Sequence, residues 1–335
     1  MRIIYNLVIC IFISSLLMVN QVSAYGESEE GYPSHFERES HNLVNLVRMF
    51  PAQYKANYMN DYKSMGLENI LNVPAVPPVW YNSTLNDLAR FHSNDMATYP
   101  CFSHNSCDGT DIWKRFNSFI TCSNAGSRSE NIAAGYSSGI QTNNQLLCDK
   151  VGSICATDAS DNDGHRVNIM SKSTSNLGVG HVYVKGSTYG SYWTQDFTSG
   201  SCSLPDTPIY SAYHTFPSGT KPQFIAIYYN QTMPADSIEL VFVDGDSIDM
   251  TLTYGSSTAG AYMTTTDFNY CAQYYFDIKT ESGETYRYPD TGFLQLVNNL
   301  NASCPSWVDS DSSASSNSIS LIFLILLSLL VTLLI

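Results

Sequence analysis

Charged residues are scarce in this chain. They make up 14% of 335 residues, with 16 Lys and Arg against 30 Asp and Glu, for a formal net charge of −14. No basic patch or stripe is present, which excludes nucleic acid as a partner. A concentrated acidic run is missing too, so the diffuse acidity reads as solubility at a cell surface. No internal repeat recurs at a fixed period, which excludes a solenoid or a propeller. A complete nucleophile–base–orienter set is also absent, and that argues against a self-evident hydrolase.

The two ends carry the long apolar runs. Arg2 precedes an uncharged, mostly apolar stretch from Ile3 to Val19, and Val22-Ser23-Ala24 then offers small residues. This is the layout of a secretory signal peptide over residues 1–24. At the other end, residues 319–335 are apolar except for Ser320, Ser328 and Thr332, with no Lys or Arg after them, and residues 306–318 are a polar, serine-rich spacer. Small residues, a polar spacer and an apolar tail make a glycolipid (GPI) attachment signal, with the attachment residue expected between Ser310 and Ser315. The expected address is extracellular, at the outer face of the plasma membrane.

Cysteine usage fits that address. Cys10 leaves with the signal, and eight remain: Cys101, Cys107, Cys122, Cys148, Cys155, Cys202, Cys271 and Cys304. An even number in an oxidising compartment implies disulfides. Locality favours Cys148 with Cys155 and Cys271 with Cys304, out of about 100 formal pairings. Glycosylation sequons stand at Asn82, Asn230 and Asn301.

The hydrophobic period changes along the chain, and the expected class is α+β. Leu43, Val44, Leu46, Val47 and Phe50 form a helical stripe stopped by Pro51. A second helix follows Trp80-Tyr81-Asn82-Ser83, with Thr84 and Asp87 read as a capping box and Pro100 as its end. From Leu177 the pattern alternates: Leu177–Val184 and Ser191–Phe197 read as a hairpin. This first domain spans 35–202. A linker over 203–208 leads to strands expected at Gln223–Tyr229, Ser237–Val243, Ser247–Tyr254, Tyr270–Lys279 and Gly292–Val297. Short strands at that spacing predict an all-β, immunoglobulin-like sandwich over 207–305.

Five motifs occur in one order. They are Cys101-Phe102-Ser103-His104-Asn105, Ser129-Glu130-Asn131-Ile132-Ala133, Gly164-His165-Arg166-Val167-Asn168, Gly178-Val179-Gly180 and Tyr192-Trp193-Thr194-Gln195-Asp196-Phe197. Together they resemble the CAP superfamily, which includes cysteine-rich secretory proteins, insect venom antigens and plant pathogenesis-related proteins. The Gly-His-Arg form is most similar to the microbial SCP branch. The resemblance implies a CAP α–β–α sandwich with a cleft lined by two histidines and acidic residues, which binds a divalent metal in some members. Carried onto this chain, it implies His104, Glu130 and His165 as metal ligands. The second acid is not evident in the motif order, and Asp149 is the candidate.

Two imidazoles and a carboxylate suit Zn²⁺, the candidate cofactor, and leave a position for water. The three residues stand 26 and then 35 positions apart, so only the resemblance brings them together. The competing reading is that the histidines bond to acids and organise loops. Other signals read as bland. Gly135-Tyr136-Ser137-Ser138-Gly139 has the G-x-S-x-G form but needs a strand before it and a helix after it. His92 sits on an apolar helical face and reads as a core residue, and His181 reads as structural. Asp158, Asp161 and Asp163 do not fit a calcium loop, because Gly164 at position six would put Ala159 at position one.

Three functions follow from this. The leading one is a surface-displayed binding protein whose partner is a lipid or sterol, a glycan or a cell-surface protein. The second is a metal-dependent hydrolase using His104, Glu130 and His165. The third is an adhesion protein whose β-domain offers Tyr228, Tyr229, Tyr274 and Tyr275 to a sugar.

Overall fold

A computed structural model describes residues 25–26, 31–120, 126–200, 204–217, 221–267 and 271–297. The expected signal segment, the serine-rich spacer, the apolar tail, Asn301, Cys122, Cys202 and Cys304 lie outside them. Among the described residues, no helix is long and apolar enough to cross a membrane.

The first helix, α1 (His35–Met49), starts at a capping box: the Glu37 amide donates to Ser34 Oγ, and Glu37 Oε2 accepts the Ser34 amide. Pro51 ends α1, as its missing N–H requires, and then opens α2 (Pro51–Tyr58) at a position where no such donor is needed. A short β1 (Trp80–Tyr81) leads to α3 (Ser83–Thr98). Its cap is Asn82, whose Oδ1 accepts the Leu85 amide at 2.9 Å, and not the Thr84 box read from the sequence. Then come α4 (Ile112–Phe119), β2 (Arg128–Ala134), α5 (Gly139–Cys148), the small β3 (Lys150–Val151) and β4 (Ile154–Cys155) ribbon, and α6 (Gly164–Ile169). The hairpin β5 (Asn176–Tyr183) and β6 (Ser191–Thr198) completes a sheet of order β1-β5-β6-β2.

Period-2 alternation on β5 divides two layers. Leu177 and Val179 enter the main core with the α1 stripe, while Gly178 and Gly180 face α3. A Cβ at Gly178 would sit 2.1 Å from the Leu85 carbonyl carbon, and one at Gly180 2.2 Å from that of Ala89. The two glycines therefore let the α3 backbone lie directly on the sheet. Helices on both faces give the expected α–β–α sandwich.

The remaining strands form two antiparallel sheets. One has the order β11-β12-β8-β7, from β7 (Ile209–Thr215), β8 (Gln223–Tyr229), β11 (Thr251–Ser256) and β12 (Ala259–Thr265). The other has the order β10-β9-β13-β14, from β9 (Ala235–Phe242), β10 (Ser247–Asp249), β13 (Gln273–Thr280) and β14 (Thr285–Tyr288), with β15 (Leu294–Gln295) also on β13. Phe224, Tyr228, Leu240, Tyr274 and Phe276 share one core between them, so the pair is a sandwich. Strands β7, β12 and β14 were not legible as strands. On β7 both faces are covered, so Ile209–Thr215 shows no apolar–polar alternation.

The two halves share a core. Ile225, Ile227, Ala261 and Met263 on the outer face of the β7–β8 sheet join Leu43 and Val47 of α1, Phe50 between the two helices and Tyr54 of α2. Helix α1 thus lies between two sheets, and every residue from Glu37 to Met49 is buried. Its polar side chains are buried with partners, as desolvation demands. Asn42 Oδ1 accepts the Ser211 hydroxyl at 2.7 Å, Asn45 Oδ1 accepts the Val79 amide at 2.7 Å, and Glu39 Oε1 accepts the Thr215 hydroxyl at 2.7 Å. Arg48 donates to the carbonyls of Pro77 and Ile169.

Candidate functional site

The loop after α3 carries His104 toward Glu130 on β2. Glu130 is fully buried through its side chain, and its two oxygens divide between two cations or donors. Oε1 accepts His104 Nδ1 at 2.8 Å, and Oε2 accepts Arg115 Nη2 from α4. Arg115 also donates to the His104 carbonyl at 2.8 Å, so one guanidinium fixes both the acid and the loop that holds the imidazole. His92 of α3 lies behind them, with Nε2 on the Ser103 carbonyl at 2.9 Å and 3.8 Å from Glu130 Oε1. Burial lowers the pKa of His92, which keeps it neutral. It packs as the sequence implied, although against the site.

A second acid–imidazole pair forms on α5 and α6. Asp149 follows the last residue of α5 in a left-handed conformation, φ 49° and ψ 54°. Its Oδ1 accepts His165 Nδ1 at 2.6 Å and its Oδ2 accepts the His165 amide at 2.8 Å. The flanking Cys148–Cys155 disulfide and the β3–β4 ribbon hold this turn. Arg166 anchors the other side. Its buried guanidinium donates to the carbonyls of Leu147 and Ala156 and to Asp158 Oδ1 at 2.9 Å. Asp158 and Asp163 are thus committed to Arg166 and to backbone amides, in keeping with the failed calcium count.

The pairs are tied together by amides. Asn131 Nδ2 donates to the His165 carbonyl at 3.1 Å, and Asn168 Nδ2 donates to Asn131 Oδ1 at 2.8 Å. His104 and His165 are 49% and 35% exposed through their side chains, whereas Glu130 is not exposed at all. A carboxylate that only accepts fixes Nδ1 as the donor of each ring, so the neutral form of either imidazole carries its lone pair on Nε2. His104, Glu130 and His165 do not form one tight cluster of ligand atoms. Among the described residues, only Asp95, Cys101 and Cys107 bring three such atoms within 4.8 Å of one another. Two of these are the joined sulfurs of the Cys101–Cys107 disulfide, and so offer no thiolate.

Asp196 was missed as a site residue. It lies directly across from Glu130 in the β2–β6 register and is completely buried. Burial first, and the Glu130 charge second, push its pKa well above the carboxylate range, so it is held neutral behind the site. Its place in the Tyr-Trp-Thr-Gln-Asp-Phe motif was visible, but its role needed the strand register.

The G-x-S-x-G segment does lie between a strand and a helix, β2 and α5, contrary to the sequence reading. Its Ser137 nevertheless has no base: the hydroxyl donates to Gln141 Oε1 at 3.0 Å. In the β-sandwich, Tyr228 and Tyr274 point into the core, and Tyr229 and Tyr275 lie on opposite sheets. The four tyrosines therefore make no common face. Cys148–Cys155 is joined as expected, Cys101 and Cys107 pair with each other, which locality had not singled out, and Cys271 is disulfide-bonded, while its expected partner Cys304 lies outside the described residues.

The family model described as "CAP: Cysteine-rich secretory protein family" matches residues 41–197. A CAP-family domain therefore occupies this part of the chain. No curated protein sequence matches the chain. Among solved structures, the chain is similar to an extracellular protein containing a SCP domain from Bacillus anthracis. Identity there is 26% over 37% of this chain and 34% of that one, with a TM-score of 0.29. It is also similar to an outer surface protein from Borrelia burgdorferi, at 12% identity over 44% and 91% of the two chains and a TM-score of 0.30. The venom allergen-like protein 4 of Schistosoma mansoni matches at 14% identity over 50% and 90%, TM-score 0.30. The chain thus spans about a third of the Bacillus protein's length.

Proposed function

We propose that the chain is a binding protein of the cell exterior whose CAP cleft holds a divalent cation such as Zn²⁺ through His104 and His165. The observation that carries this reading is the matched pair of carboxylate-backed imidazoles. Each Nδ1 faces an acid, His104 on Glu130 and His165 on Asp149, and each Nε2 is left to ligate. Metal-ligating histidines typically have this second carboxylate partner, which fixes the tautomer and raises basicity. The donor set therefore fits a cation. In this reading Glu130 stands behind His104 and not on the ion, because both its oxygens are already engaged. A bound ion would supply a charged point for an anionic or polar ligand group.

The address belongs to the same proposal. A signal over 1–24 exports the chain, a glycolipid attached within 306–318 holds it at the outer leaflet, and the Gly164-His165-Arg166 form supports assigning the domain to the microbial SCP branch. The ligand is a lipid or sterol, a glycan or a surface protein. Binding is favoured over hydrolysis by a serine or cysteine nucleophile because the Ser137 hydroxyl is given to Gln141 and, among the described residues, His104 and His165 bond through their rings to acids and to no hydroxyl or thiol.

The test is metal analysis with zinc titration of protein purified from the cell surface. One zinc per chain, lost in the His104→Ala, His165→Ala double variant, is expected. Absence of stoichiometric binding to a folded chain overturns the metal site. Release of the protein from cells by a phosphatidylinositol-specific phospholipase tests the anchor.

A further inference from the structure

We propose that the crevice where the CAP domain meets the β-sandwich is a saccharide-binding groove occupied by the chain's own glycan on Asn230. The crevice has a volume of about 310 Å³, and Trp80, Asp206, Tyr210, Tyr229, Asn230 and Tyr286 line it. Its wall is aromatic. Trp80 stacks on Tyr210 with centroids 3.6 Å apart, and Tyr229 meets Tyr210 edge-on at 5.8 Å. Trp80 is buried and backs Tyr210, so the half-buried Tyr210 and Tyr229 are the rings that a pyranose C–H face can meet, while Asp206 and the Thr207 hydroxyl offer partners to its hydroxyls.

Asn230 stands on the rim of this crevice in the sequence Asn230-Gln231-Thr232. Its Oδ1 accepts the Thr232 amide at 3.0 Å, the Thr232 hydroxyl at 3.1 Å and the Met233 amide at 3.1 Å. That closed turn orients the side-chain amide by its oxygen and leaves Nδ2 as the acceptor nitrogen. Asn82 differs: its Oδ1 caps α3, and Thr84 of its sequon lies within the first helical turn. In the modification, Asn230 Nδ2 forms a bond to the anomeric carbon of an oligosaccharide–lipid diphosphate donor. The anomeric C–O bond breaks, the lipid diphosphate leaves and the amide nitrogen loses one proton. Once attached, the first sugars reach the rings as an intramolecular ligand, at an effective concentration on the order of millimolar. A free sugar lacks that advantage.

The consequence is a carbohydrate wedge between domains that already share a core. It rests on the export proposed above. The experiment expresses the whole chain in a eukaryotic secretory host and maps its glycopeptides. Hydroxyl-radical labelling of Trp80, Tyr210 and Tyr229 is then compared before and after native digestion with a peptide-N-glycosidase. That enzyme leaves an aspartate at 230 and so keeps an oxygen to close the turn, which substitution would not. Expected are an occupied Asn230, a severalfold rise in labelling of Tyr210 and Tyr229 on digestion, and a melting temperature lowered by several degrees. An Asn82→Gln variant should show the same rise. Two results overturn the inference while leaving export standing: an exported, signal-cleaved chain with Asn230 unmodified, or digestion at Asn230 with labelling unchanged. Retention inside the cell with the signal uncleaved overturns export and, with it, this inference.

Discussion

His165 and Asp149 meet twice: the imidazole Nδ1 and the backbone amide of His165 are both held by one carboxylate, at 2.6 and 2.8 Å. This double contact fixes the ring and the start of α6 at once. Under the proposed metal reading, Asp149→Ala frees the ring and lowers zinc affinity by about 10–100-fold, as loss of such an outer carboxylate does. Isothermal titration on the folded variant measures it. Unchanged affinity would show that Asp149 has only a structural role.

Glu130 and Arg115 form a buried ion pair with side chains that are 0% and 1% exposed. Removing one partner leaves the other charge desolvated and unpaired. Glu130→Ala is expected to cost about 3–5 kcal/mol in chemical denaturation. A loss below about 1 kcal/mol would mean that Arg115 finds water or another acceptor.

At Gly180 the limit is space. A Cβ there would lie 2.2 Å from both Ala89 C and Arg90 N, backbone atoms that cannot move aside without shifting α3. Gly180→Ala should cost at least about 2 kcal/mol, toward the upper end for overpacking. Gly186 has open space where its Cβ would be, but φ is +92°, so alanine there should cost less and by strain alone. Urea unfolding of both variants tests the order.

The shared core predicts cooperative unfolding. Ile227 belongs to a strand of the β-sandwich, yet packs in the core of α1. Ile227→Ala should cost about 2–5 kcal/mol and shift one common transition. Two separate transitions in calorimetry, only one of them moved, would show the halves to be independent.

Acid should weaken the fold through His41. Burial, then the neighbouring Arg38 charge, lowers its pKa to about 4 against an opposing bond to the Val79 carbonyl. The unfolded chain takes up a proton near pH 6.5 and the folded one only near 4, so the unfolded state binds more protons between them. Stability is therefore full above pH 6.5 and falls as pH drops toward 4, by up to about 3 kcal/mol for this group. Melting curves of a His41→Gln variant should be flatter over that window. An equal slope would assign the loss to other groups, His181 first, since burial lowers it to about 4 as well.

The motifs were legible because each is local: Gly178-Val179-Gly180 requires close helix packing, and Gly164-His165-Arg166 opens a helix whose arginine is anchored by nearby carbonyls. The helical stripe of α1 and the β5–β6 hairpin were likewise present in the period of their residues. The β7 strand was not, because burial on both faces erases alternation.

The sequence by itself determined the α+β class, the five motifs in order, the sequons and the acidic surface, since these depend on residue type and short spacing. Tertiary structure alone decided which acid meets which histidine. Glu130 reaches His104 across 26 positions, and Asp149 reaches His165 across 16, through strand register and a left-handed turn that no local pattern encodes. It also decided that α1 is buried on every side. An amphipathic stripe tells which face is apolar, whereas the partners that satisfy Asn42, Asn45 and Glu39 come from a second sheet more than 165 residues away.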